Sequence, residues 1–281
     1  MIRYLAVICT LLASLSAAEG ADTRPEDIGA QHLDSIGTAE ARPAVKSLGI
    51  QGTLRFKVIV GGVGEASGTW QRFSEQRKSN FAMKFGGSDW WGERFVFDGD
   101  QTYFAAATSS HQRSAFGEFV RSHDFIIKDG LFGGELSTDW ALQNLDRSRV
   151  KLDYLGMKKI DGRDVQGIEY LSKGNGEMTV RLYFDPETHR HVMTVYLVER
   201  GAVRAHHNVF ATAHEQEVSY SIEERFSDFQ TDNGITLPRH YDLQFSQQPP
   251  NGKTSAYEWD MTAERVLGNP TIAPANFQEK Q

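Results

Sequence analysis

The chain has 281 residues, 11% of them aromatic and 17 of them Phe, with a formal net charge of −7. That acidity argues against nucleic acid, which asks for a basic stripe, and against simple electrostatic docking on anionic lipid. The aromatic content suits either a large core or the lining of a cavity.

Arg3 is the only charge before an apolar run from Tyr4 to Leu15, and Ser16, Ala17 and Ala18 follow as a small-residue cleavage site. This is the pattern of a secretory signal peptide over residues 1–18. The run is shorter than the roughly 20 apolar residues a membrane-spanning helix needs. A retained N-terminal anchor is the alternative. Cys9, the single cysteine, lies inside the apolar run and is not placed for lipidation. Its loss with the leader leaves no disulfide, no thiolate nucleophile and no cysteine metal site. Residues 19–281 are expected to form one exported domain that relies on a large core.

Two short helices are predicted first. Pro25 suits a first helical turn, Glu26 and Asp27 favour its dipole, and Gly37 ends it, with Ile28, His32, Leu33 and Ile36 on one face. Thr38 is placed to cap a second helix running to Leu48, with Gly49 as its stop and Pro43 as an internal irregularity. From Gly52 the period becomes two. Leu54, Phe56, Val58 and Val60 alternate with Arg55 and Lys57, and Gly61 with Gly62 turns the chain. Trp70 and Phe73, then Phe81, Met83 and Phe85, then Phe95 and Phe97 continue an antiparallel meander to about residue 106, with a hairpin turn at Asp98–Asp100.

Helical spacing returns at Phe116, Phe119, Val120, His123 and Ile127, and Gly130, Gly133 and Gly134 break it. A second meander runs from Val150 to Val198, turning at Asp161–Gly162, Gly174–Gly176 and Asp185–Pro186. Strands over 217–229 and 235–245 are predicted to pair across Asp232–Gly234, and a last strand spans 254–265 before an irregular tail to Phe277. The pattern predicts about eleven short strands, a mainly β chain of sandwich or barrel type.

Few residues suggest chemistry. His189 and His191 share a face if extended, with His206, His207 and His214 soon after. Without a matching carboxylate spacing they read as solvated strand ends, not as a metal site. The Gly130–Gly134 run lacks the Lys-Ser/Thr of a phosphate cradle and reads as a hinge or tight turn. Asp98 and Asp100 are explained by their turn, and Glu223 and Glu224 fall on opposite faces of a strand. No Gly-x-Ser-x-Gly elbow occurs. Trp90 and Trp91, in a loop flanked by glycines, either pack down or meet a ligand.

Several ordered motifs carry a family resemblance: Gly52–Phe56; the strand–turn–strand element Glu93–Tyr103; Tyr154–Gly156, Ile160–Arg163 and Tyr183–Pro186; Phe226–Phe229 with Gly234–Pro238; and Asn269–Pro270 with Phe277. In these the chain resembles the LolA/LolB superfamily, in particular the outer-membrane lipoprotein-sorting proteins, and is also similar to the MucB/RseB sensor domain. The resemblance implies an incomplete antiparallel β-barrel of about eleven strands, closed by N-terminal and lid helices, whose hydrophobic concave face accepts acyl chains. It implies a periplasmic, monomeric carrier of lipid or lipoprotein acyl chains, with membrane donor or acceptor proteins as partners and no catalysis, cofactor or metal. Phe56, Val58, Phe81, Met83, Phe85, Trp90, Trp91, Phe95, Phe97 and Tyr103 are the implied trough and mouth. Phe116, Phe119, Gly130, Gly133 and Gly134 are the implied lid and hinges, and Arg55 is the candidate for the basic residue that holds the lid. The chain is longer than the minimal carrier, chiefly at 107–149 and 199–217, which puts lipoprotein cargo in question. A sensor or scaffold of the same fold and a secreted hydrolase are the alternatives.

Overall fold

A computed structural model describes residues 23–86, 92–105, 113–145, 150–200, 218–249 and 252–279. The leader, Cys9, Trp90, Trp91, His206, His207 and His214 lie outside the described residues.

Helix α1 spans Pro25–Ile36 and buries Ile28, His32 and Ile36. The second helix, α2, is only Ala41–Ala44, because the chain is already extended at Ser47. The helix expected to reach Leu48 is therefore corrected. Thr38 Oγ1 accepts the Ala41 N–H at 3.1 Å as a cap, but the segment ends one residue after Pro43.

Twelve strands follow: β1 Ser47–Val60, β2 Glu65–Glu75, β3 Lys78–Phe85, β4 Arg94–Phe97, β5 Thr102–Ala105, β6 Lys151–Ile160, β7 Arg163–Leu171, β8 Met178–Phe184, β9 His191–Arg200, β10 Val218–Asp232, β11 Ile235–Gln248 and β12 Ser255–Gly268. Between β5 and β6 come α3, Ala115–Ser122, and α4, Phe125–Lys128, with two short 3-10 turns at Gly134–Leu136 and Ala141–Asn144. All strands belong to one antiparallel sheet in the order β5-β4-β3-β2-β1-β12-β11-β10-β9-β8-β7-β6. β5 and β6 are its two free edges, so the barrel is incomplete. The fold is mainly β, as the alternation predicts.

This order gives the barrel two unlike ends. Five tight connections lie at what we call the lower end, joining β2–β3, β4–β5, β6–β7, β8–β9 and β10–β11. Two of them place successive residues at positive φ, Asp161 (50°) with Gly162 (81°) and Asn233 (51°) with Gly234 (80°), the conformation that joins twisted strands most tightly. α1 packs at the same end, where Gly37 bridges to Ile235. The upper end carries the β1–β2 hairpin and the β3–β4, β7–β8, β9–β10 and β11–β12 connections. There the alternation of β1 fades from buried Leu54, through half-buried Phe56 and Val58, to exposed Ile59 and Val60. Val63 at the hairpin tip is 99% exposed.

The inward faces of the strands, α1 and the segment 113–145 share one apolar core. On the outer face the C-terminal tail is strapped across β3 and β4. Asn80 Nδ2 donates to Asn276 O at 2.7 Å, Arg94 Nη2 donates to Gln278 O at 3.0 Å, and Phe277 is buried.

Candidate functional site: a plugged apolar trough

The concave face is apolar by parity. Phe81, Met83 and Phe85 of β3 point inward with Phe95 and Phe97 of β4, and all five are buried. Phe56 is half-buried at the upper end, with Phe85, Tyr257 and Trp259 around its ring at 6.2, 6.2 and 5.5 Å. Val58 is half-buried beside it. Tyr103 faces outward, its hydroxyl donating to Asp98 Oδ2 at 3.0 Å, and Phe104 takes the inward position against Phe95 at 5.6 Å. The trough is therefore lined by Phe104 where Tyr103 was expected.

Segment 113–145 fills the trough as a plug. Ser114 caps α3 by accepting the Gly117 N–H at 2.9 Å. Phe116 then lies 4.7 Å from Trp259, and Phe119 lies 5.5 Å from both Tyr220 and Phe245. Phe132 follows, 5.3 Å from Phe81. Beyond it Thr138 donates its N–H to Ser74 Oγ and its hydroxyl to Gln76 O, both at 3.0 Å, at the lower end.

Two buried polar clusters seat this plug. In the first, Arg72 Nη2 donates to Phe132 O at 2.6 Å while the Gly133 N–H donates to Glu224 Oε1 at 2.7 Å. Tyr241 and Tyr196 donate their hydroxyls to the same carboxylate, at 2.5 and 2.7 Å. Burial raises Glu224 above the usual carboxylate range, against the pull of these donors and of the Arg72 charge. Burial likewise lowers the Arg72 guanidinium. Gly133 sits at φ 77°, and a Cβ on it would fall 2.3 Å from Arg72 Nη1, so only glycine fits between the two charges.

In the second cluster Glu135 Oε2 lies 2.8 Å from His191 Nδ1, with both side chains almost wholly buried. Burial pushes Glu135 up, but the His191 charge and hydrogen bond, aided by His32, hold it below the carboxylate range overall. Trp140 Nε1 donates to His32 Nε2 at 2.9 Å, which places the His32 proton on Nδ1, 3.1 Å from His189 O. Burial lowers His32 to about 4. His191 is thus a fully buried strand residue, not the solvated strand end expected, and His189 lies in the preceding turn at φ 57°. Among the described residues no three His, Cys, Asp or Glu side chains gather as a metal site.

At the upper end the α3 N-terminus rests on a third buried group. Ser114 Oγ donates to Glu93, which is 1% exposed, and burial raises that carboxyl to about 7 against Ser114 and the Arg113 charge.

Arg55, expected to hold the lid, is exposed on the outer face; Arg72 makes the contact instead. Its parity gives the clue, since Trp70, Arg72 and Ser74 share one face of β2. Glu224 is placed inward in the same way between Ile222 and Phe226, while Glu223 pairs outside with Arg225 at 2.9 Å. Asp98 is occupied by its own turn, Oδ1 accepting the Asp100 and Gln101 N–H groups at 2.8 Å. Gly130, Gly133 and Gly134 are all left-handed and closely packed, the first with Asp139 O where its Cβ would be. A cavity of about 770 Å³ lies outside the barrel, on the outer face of β12, β1, β2, β3 and β4, lined by polar groups such as Gln51, Gln71, Lys84 and Arg265.

The class this geometry defines is an incomplete antiparallel barrel plugged by its own insertion. No protein-family model and no curated protein matches the sequence. Among solved structures the chain is similar to a LolA superfamily protein from Nitrosomonas europaea, at 11% identity and TM-score 0.43 over 90% of this chain and 97% of that one. It is similar to a structure described as an outer membrane lipoprotein-sorting protein domain from Vibrio parahaemolyticus, at 10% identity and TM-score 0.41 over 89% and 97%. A DUF1329 family protein from Desulfovibrio piger follows at 11% and 0.40 over 91% and 98%.

Proposed function

We propose that this protein is an exported, periplasmic, non-catalytic carrier that receives lipid or a lipoprotein's acyl chains in the concave trough when the plug 113–145 withdraws. The observation that carries this reading is the plug itself. A mainly apolar concave face, with Arg72, Glu224 and His191 buried in it, is covered by one contiguous insertion, and that insertion is seated by a few buried polar contacts rather than by sheet pairing. Burial of acyl methylenes contributes roughly 0.8 kcal/mol each, so a sixteen-carbon chain supplies about 12 kcal/mol toward displacing the plug's side chains. Arg72 is the basic residue that holds the plug shut, and Phe56, Tyr257 and Tyr220 mark the mouth at the upper end.

Native mass spectrometry of the mature protein purified from its own periplasm, followed by organic extraction, tests the reading. A discrete lipid or acylated peptide near one per protein is expected. A protein that stays empty after incubation with membranes would refute the carrier and leave the scaffold of the same fold, which binds a membrane-protein partner. That second reading is favoured by the exposed apolar hairpin tip at Ile59, Val60 and Val63. Replacing Trp90 and Trp91 by Ala is expected to weaken ligand uptake if their loop borders the mouth.

A further inference from the structure

The Arg72–Glu224 cluster does more than hold a plug, because of what it grips. Its two charges do not pair with each other. The peptide group between Phe132 and Gly133 stands between them, its carbonyl facing Arg72 Nη2 and its N–H facing Glu224 Oε1. A trans secondary amide presents acceptor and donor on opposite edges, and the gap between guanidinium and carboxylate has that width. Next to this amide the Phe132 ring lies in the apolar trough, 5.3 Å from Phe81 and 6.0 Å from Phe95, with the Arg72 guanidinium 5.9 Å above it. The plug thus places an amide in a polar clamp and the apolar group beside it in the trough. Arg72 Nε and Nη1 are buried with no hydrogen-bond partner among the described residues, so the clamp keeps donor capacity that the plug does not use.

We infer that the Phe132–Gly133 peptide occupies, in the closed protein, a site for the secondary amide of an amide-linked acyl chain, with Arg72 taking the carbonyl and Glu224 the N–H. This rests on the carrier reading above and names the linkage the trough selects. An ester offers the carbonyl but sets an oxygen lone pair against Glu224. A free fatty acid sets a full negative charge one peptide width from a buried carboxylate. A neutral amide satisfies both groups. The amide can come from an acylated peptide terminus or from an N-acyl lipid, since both carry the same group.

The test compares N-palmitoyl-glycinamide, its ester analogue O-palmitoyl-glycolamide, and palmitic acid, each titrated into the mature protein and read by tryptophan fluorescence. The amide is expected to bind about 10- to 100-fold tighter than the ester, the effect of one lost charge-assisted hydrogen bond with an unpaired group left behind. Equal affinities would overturn the amide site while leaving the carrier intact. Binding of none of the three, in a protein that also carries no native lipid, would overturn the carrier itself. Glu224→Gln should shrink the amide-over-ester ratio, whereas Arg72→Leu should weaken both ligands alike. Gly130→Ala strains only the plug, where its Cβ would fall 1.7 Å from Asp139 O, and leaves the clamp untouched, so it should tighten amide binding; unchanged or weaker binding there counts against a shared site. N-palmitoylethanolamine separates the sources. Affinity equal to the glycinamide points to an N-acyl lipid, and weaker binding points to an acylated peptide.

Discussion

The two ends of the barrel are built on opposite plans. At the lower end the turns are tight, α1 is packed in place, and His32, Trp140, Glu135 and His191 form a buried, mutually bonded set. At the upper end Phe56, Phe104, Tyr220 and Tyr257 are left half-buried, and the β1 hairpin extends apolar residues into solvent. On the proposed carrier reading, the lower end is a seal and the upper end is a mouth. The plug is tied below by the buried Glu135–His191 contact and held above by packed rings with the Ser114–Glu93 hydrogen bond, and it yields first where the rings predominate, because aromatic contacts tolerate displacement that a buried polar pair does not.

Mutations separate the two ends most sharply where charge is buried. His191→Ala leaves Glu135 without its partner in the core and should cost about 3–5 kcal/mol in urea unfolding of the mature chain. A loss below about 1 kcal/mol would mean the seal is not made by this pair.

The ends should also titrate in opposite senses. Glu93, at the mouth, has its folded-state value raised from 4.5 to about 7, so its contribution is complete below about 4.5 and is lost as pH climbs to about 7. His32, at the seal, is lowered from 6.5 to about 4, so its contribution is present above about 6.5 and is lost as pH falls to about 4. In the native protein the slopes largely cancel across the shared window. Glu93→Gln removes the Glu93 limb, while the falling limb of Asp242, whose carboxyl burial raises from 3.8 to about 6, stays in both proteins. Relative to the native protein the variant should therefore gain stability from about pH 4.5 to 7 and exceed it above pH 7 by roughly 3 kcal/mol. A difference between the two proteins that does not change with pH would contradict the assignment to Glu93.

Smaller effects belong to the mouth. Phe56→Ala removes a half-buried ring and should cost roughly 1–2 kcal/mol, less than any fully buried Phe of the trough. Val63→Ser, at the hairpin tip, should change thermal stability by no more than about 0.5 kcal/mol. A larger loss at Val63 would show that the tip is packed in solution.

Much of this architecture was legible in the alternation of Leu54, Phe56 and Val58, in the Asp-Gly and Asn-Gly turns, and in the helical spacing of Phe116, Phe119 and Val120. What the plug hangs from was harder to read. Hydrophobic periodicity assigns charged residues outward, and Arg72, Glu224, Glu135 and His191 are inward. Parity along a strand places Arg72 with Trp70 and Glu224 with Ile222, but it does not say that one peptide group, 60 residues from the first and 91 from the second, will satisfy them. The start of β1 was missed for a related reason. Its buried residues at 47–50 form a short continuous run, which periodicity cannot assign to helix or strand.

The sheet order also fixes when this chain can fold. β1 pairs with β12, Leu48 opposite Gly268, while every other neighbour in the sheet is also a neighbour in sequence. The stretches β1–β5 and β6–β11 can each zip up locally, but the seam that joins them waits for the last fourteen residues of sheet. Until those have been synthesised, the two half-sheets expose open strand faces and the chain stays short of its native state. A late-arriving central strand works as a timer: the two half-sheets join into the native barrel only once it has been made.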